Sequence, residues 1–130
     1  MNRRPLIPAL TAAALFSLLT LAAAEEPPAP PAEAEQMLTC CKKFWPGLQL
    51  DGKLCEQAQQ WADHLAETGK FCHGKNCREN IARGYATPAE TAKAWRLSRG
   101  HAANFRRSIL AGFGCARYAN GRRVWVARLK

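Results

Sequence analysis

Apolar residues recur at helical spacing through the middle of the chain. Leu54, Ala58, Trp61 and Leu65 are separated by four, three and four positions, which places them on one helical face. Ala62 and Ala66 widen that stripe, while Gln57, Gln60, Asp63, His64 and Glu67 fall largely on the other side. The pattern predicts a helix that starts near Gly52 and stops at Gly69, with His64 on its polar side and assigned no chemistry. A shorter helix is predicted from about Ala34 to Phe44, ended by Pro46-Gly47. A third begins at Thr87-Pro88-Ala89-Glu90, where Thr87 caps, Pro88 fills the first helical position and Glu90 completes a capping box. It carries Trp95 and ends by Gly100. A fourth short helix, capped by Ser98, puts Ala102, Phe105 and Ile109 on one side.

The period then changes. Phe71 to Asn80 shows none and reads as a loop carrying Cys72, His73, Gly74 and Cys77. Phe113 to Tyr118 and Arg122 to Leu129 flank Asn120-Gly121, a strong signal for a tight hairpin. Val124-Trp125-Val126 is a short buried-strand run, and Trp95 and Trp125 are expected in the core. Helices followed by an antiparallel hairpin predict an α+β layered domain.

The amino-terminal pattern is different in kind. Arg3 and Arg4 precede an apolar run from Leu6 to Leu21, and Ala22-Ala23-Ala24 follows, which predicts a secretory signal over residues 1–24. A membrane anchor is the weaker reading, because Pro8 interrupts the run and a small-residue site follows it at once. The mature chain is expected to hold no transmembrane segment. Cleavage after Ala24 leaves 106 of 130 residues, which excludes a multidomain enzyme or a large doubly wound cofactor fold. Residues 25–35, rich in Pro and Glu, read as a stiff spacer, and residues 36–130 as the folded domain. A secreted or periplasmic location is oxidising, so the six cysteines are expected to form disulfides that add about 2–4 kcal/mol each to a small core. Cys72–Cys77 is the preferred local bridge. Cys55 and Cys115 would then pair with Cys40 and Cys41 in either order, unless one or two thiols are simply buried.

Charge sharpens once the chain is divided. The whole chain carries +9, but from Gln36 onward 17 bases face 6 acids, and from Thr91 to the end there are ten bases and no acid. Arg96, Arg99, Arg106, Arg107, Arg122 and Arg123, with Arg117 and Arg128, make a basic surface suited to anionic partners. Export argues against a nucleic-acid role.

Two of the three histidines sit in suggestive surroundings, Cys72-His73-Gly74 and Arg99-Gly100-His101, with Glu79 between them. Two imidazoles and a carboxylate suit either an open metal site or general acid–base work. The segment Leu54-x₃-Ala58-x₂-Trp61-Ala62-x₂-Leu65-Ala66, then His73, then Glu79-Asn80-Ile81-Ala82-x-Gly84, resembles the CAP superfamily of cysteine-rich secretory, antigen-5 and pathogenesis-related proteins. The likeness continues through Thr87-Pro88, Trp95-x-x-Ser98-x-Gly100-His101-x-x-Asn104 and Gly112-x-Gly114-x-Ala116 to Val124-Trp125-Val126.

The resemblance implies a three-layer α-β-α sandwich around a small antiparallel sheet. It also implies a cleft formed by His73, Glu79 and His101, in which some members hold zinc or another divalent metal. Asn80 matches the family's residue after the acid, and Ser98 would support the cleft. The chain departs from the family pattern at Arg78, at Ser98-Arg99-Gly100-His101, and in lacking the second acid of many members. The expected function is a monomeric binding module for a small ligand, a lipid or an anionic envelope component. The alternatives are a small metal-assisted hydrolase using the same cleft, and a nonspecific binder of anionic polymers.

Overall fold

A computed structural model describes residues 31–130; the expected signal over residues 1–24 and the start of the spacer lie outside the described residues. The elements run α1 (Ala32–Lys42), β1 (Gln49–Leu50), α2 (Gly52–Thr68), β2 (Arg78–Arg83), α3 (Pro88–Leu97), α4 (Arg99–Arg106), β3 (Leu110–Arg117) and β4 (Arg123–Leu129). The strands form one sheet in the order β1-β3-β4-β2. β4 pairs antiparallel with β3 and β2, and β1 pairs parallel with β3, so the expected antiparallel sheet is mixed at one edge. α1 starts at Ala32, which takes the last four residues of the expected spacer into the helix.

The layers follow from strand alternation. Val124 and Val126 join Ile81 in a cluster with Ala58, Ala62 and Leu65 of α2. Trp125, Ala127 and Leu129 point the other way, into a larger cluster with Met37, Trp95, Ala102 and Phe105 from α1, α3 and α4. Helices therefore cover both faces of the sheet. In the larger cluster Trp45 stacks on Phe105 with ring centroids 4.2 Å apart, and Trp95 and Phe113 flank the same ring.

α2 has the ends its sequence announces. The Asp51 side chain accepts a hydrogen bond from the Leu54 amide at 2.8 Å, and Gly69 closes the helix at φ 68°. Its buried stripe is Cys55, Ala58, Ala62 and Leu65, with Leu54 and Trp61 only half-buried. The rotation has a cause in β3. A Cβ on Gly112 or Gly114 would collide with the α2 backbone around Leu54–Cys55 and Ala58–Gln59, so the small residues of helix and strand lie against each other. Gln59 also bonds β3 directly, its side-chain amide donating to the Cys115 carbonyl at 2.8 Å and accepting from the Cys115 amide at 3.1 Å.

α3 carries the full capping box between Thr87 and Glu90, with Pro88 at the first helical position. The segment expected to be a loop from Phe71 to Asn80 becomes strand at Arg78, because β2 finds its partner in β4, far along the chain. Ile109 is the other difference. It lies beyond α4 and is 66% exposed rather than packed beside Phe105.

Candidate functional site

β2 is an edge strand, and its pleat sends Glu79 and Asn80 to opposite faces of the sheet. Glu79 stands on the α2 side, directly across from Arg128 of β4. Its side chain is 1% exposed, and Arg128 Nε lies 2.6 Å from Oε2. The Nε hydrogen is not aligned for a linear hydrogen bond, so this contact is charge pairing. Oε1 accepts from the Gly74 amide at 3.0 Å and meets His73 Nδ1 at 3.0 Å. The Cys77 thiol reaches Oε2 at 3.9 Å. With Nδ1 turned to the carboxylate, His73 leaves Nε2 without a partner among the described residues, on a side chain that is 57% exposed.

A Cβ on Gly74 would sit 2.5 Å from an Arg128 guanidinium nitrogen, so a larger residue there would make the Arg128 side chain shift. The guanidinium also lies over the Trp61 ring, 5.9 Å from its centroid, and Trp61 Nε1 donates to the Cys72 carbonyl at 3.1 Å. These contacts hold the 71–77 loop against α2.

On the other face, Asn80 is fully buried. Its Nδ2 donates to the His101 carbonyl at 3.0 Å, and its Oδ1 accepts from Asn104 at 2.9 Å. Asn80 thus locks the start of α4 onto β2, and His101 comes with it. Burial lowers the His101 pKa first, and the nearby His73 charge lowers it further. The sheet edge therefore separates Glu79 from His101, although the charge of His73 still acts on the His101 ring.

This arrangement does not fit the metal implied by the resemblance. A zinc centre takes three or four protein donors, and among the described residues no group of three or more His, Cys, Asp and Glu converges. Glu79 has both oxygens engaged, with Arg128 already balancing its charge.

Beside His101 opens a cleft of about 310 Å³. Ile81 and Ala82 lie in its floor, and Phe71, Arg83, Tyr85, Trp95, Ser98 and His101 line the rest. Arg83 lies over the Phe71 ring with its guanidinium carbon 4.6 Å from the centroid. Ser98 occupies the cap position of α4, but its side chain makes no capping hydrogen bond. A second hollow shares Tyr85, Ala94 and Ser98 and extends past Leu97.

The basic residues divide. Arg96, Arg99, Arg106, Arg107 and Arg122 are exposed. Arg123 is not a surface charge: its side chain is 19% exposed, pairs with Glu33 and lies over Trp125. Arg128 likewise belongs to the interior ion pair, and Trp95 and Trp125, each 1% exposed, offer no stacking platform. All six cysteines are unbridged. Burial pushes up the Cys41 thiol, and pushes the Cys115 thiol up to about 11.

Sequence reasoning missed Arg128, Gly74, Phe71, Arg83 and Tyr85 as parts of the site. One signal was available: Val124, Val126 and Arg128 alternate on a single strand face, so the arginine continues a buried row.

The Cysteine-rich secretory protein family matches residues 45–128. Among solved structures, the chain is similar to an outer surface protein from Borrelia burgdorferi, with a TM-score of 0.60 at 16% identity, covering 73% of this chain and 91% of that one. It is also similar to MpPR-1i, with a TM-score of 0.54 at 19% identity, covering 74% of this chain and 84% of that one. These structures share the fold, and no curated protein sequence matches. With the family pattern spanning most of the sequence and both helical layers and the sheet in place, the chain belongs to the cysteine-rich secretory protein, or CAP, family.

Proposed function

We propose that this protein is an exported CAP-domain binding module that takes a small ligand in the cleft beside His101. The observation that carries the reading is that cleft of about 310 Å³, whose apolar floor and aromatic walls are joined by a few polar groups. That is the usual make-up of a small-ligand site, at the low end of the common size range of about 300–1,000 Å³. Export is supported by the signal-like residues 1–24, by the family, and by the outer surface protein among its structural relatives. No described helix is long and apolar enough to cross a membrane. In an oxidising compartment, Cys72–Cys77 bridging would fix the loop that presents His73 and Gly74 to Glu79, and the proposal includes such disulfides.

The test uses 2-naphthalenemethanol, a neutral aromatic probe, followed by fluorescence and amide chemical shifts. Binding is expected to move signals from Phe71, Tyr85 and His101. Ala94→Trp, which fills the wall shared by the two hollows, should abolish it. Binding that Ala94→Trp leaves intact places the probe elsewhere and removes the reading.

One contact favours a second reading. His73 is held by Glu79 at 3.0 Å with Nε2 facing outward, as a general base would be. Hydrolysis of a chromogenic ester that is lost in both His73→Gln and Glu79→Gln would support it. Equal rates in parent and variants would end it.

A further inference from the structure

We propose that the ligand of the His101 cleft is a small organic carboxylate, whose charged group pairs with Arg83 while its apolar body lies along Phe71 and Tyr85. This inference rests on the binding reading above and names the class of ligand. Glu79 is the only carboxylate of the resemblance cluster, yet it lies on the α2 face of β2 with its charge balanced by Arg128. It therefore neither repels an anion nor attracts a cation at His101. Among the described residues, no carboxylate lines the cleft.

Arg83 is the one permanent charge among the described residues of that lining. Among the described residues it has no carboxylate within ion-pair distance, in contrast to Arg123 and Arg128. Its guanidinium carbon lies 4.6 Å from the centroid of the Phe71 ring, a cation–π contact that keeps the charge beside the apolar lining. A planar guanidinium matches a planar carboxylate through two parallel hydrogen bonds. A phosphomonoester dianion would leave its second charge uncompensated among aromatic walls, which disfavours it. The remaining polar groups suit a neutral or anionic guest. His101 is held toward its uncharged form, able to donate from one ring nitrogen and accept at the other, and the Ser98 hydroxyl is not used in capping.

The experiment compares 2-naphthoate, 2-naphthalenemethanol and 2-naphthyl phosphate on the parent protein and on Arg83→Gln, Arg122→Gln and Ala94→Trp. The naphthoate is expected to bind at least about tenfold more tightly than the alcohol, with the phosphate no tighter than the naphthoate. Arg83→Gln should erase the preference for the acid, whereas Arg122→Gln, which alters a separate hollow that Arg122 lines with Thr68, Tyr118 and the other side of Arg83, should keep it. Naphthoate affinity should also fall as salt is raised. Equal binding of acid and alcohol, both blocked by Ala94→Trp, overturns the carboxylate assignment and leaves the cleft reading standing. Binding of both probes that survives Ala94→Trp overturns the cleft reading as well. Naphthoate binding unchanged in Arg83→Gln, tighter binding of the phosphate, or no naphthoate binding overturns the assignment. Folding of each variant is checked by circular dichroism, and Arg83→Lys offers a second variant that keeps the charge but loses the two-pronged geometry, expected to retain only part of the preference.

Discussion

Glu79 and Arg128 face each other across the β2–β4 ladder, and their 2.6 Å contact turns the acid expected in the cleft into half of an interior ion pair. The pair is nearly out of solvent, with side chains 1% and 12% exposed. Arg128→Met should therefore cost about 3 kcal/mol, because it strands a charge in the interior. Replacing both residues, as Glu79→Leu with Arg128→Met, should recover much of that loss. Urea unfolding of the two single variants and the double variant checks this; additive losses would deny the coupling.

Close approach of α2 to β3 predicts a large contrast between two glycine substitutions. Gly114→Ala drives a methyl into the backbone at Ala58–Gln59 and should destabilise the domain by about 1–3 kcal/mol. Gly100→Ala, inside α4 with nothing near its missing side chain, should stabilise it by about 0.5–1 kcal/mol. Thermal unfolding of both variants reads the two signs directly.

His101 gives the fold a pH dependence of known direction. Its pKa is lowered, so below the ordinary value near 6.5 the folded state binds fewer protons than the unfolded chain. Stability is unaffected by this group above about pH 6.5, and declines as pH falls from there through the lower folded value. In His101→Gln, stability measured across that window should decline less steeply than in the parent. An identical slope would contradict the assignment.

Thiol environment predicts an order of alkylation in the fully reduced protein. Cys72 and Cys77 are exposed, whereas Cys41 is buried and its thiol is held protonated. Iodoacetamide should modify Cys72 and Cys77 at least about tenfold faster than Cys41, read by peptide mass analysis over time. Comparable rates would mean that the Cys41 side of α1 opens readily.

Much of the fold was legible because its signals are local. Thr87 with Glu90, Gly69 after α2 and Asn120-Gly121 at the hairpin each act within a few residues, and each appears as expected. β2 was hidden because Arg78-Glu79-Asn80 is polar, and its burial depends on distant partners: Arg128, the His101 carbonyl and Asn104. The site shows the same limit. His73 and Glu79 do meet, but no local pattern reveals that adjacent Glu79 and Asn80 belong to opposite faces. Ile109 was misplaced because continuing the helical period past α4 ignored that the chain turns there into β3.

The side chains that pack around the sheet edge also decide what the sheet can become. Along the outer side of β2, the Glu79 carbonyl receives Asn104 Nδ2 and the Ile81 carbonyl receives Trp95 Nε1, both at 3.4 Å. On β3, where β1 has already ended, Gln59 occupies the amide and carbonyl of Cys115. A strand from another molecule would find these ladder positions taken, so the sheet offers little template for growth. For a small basic domain, that closure guards against aggregation while leaving the cleft open.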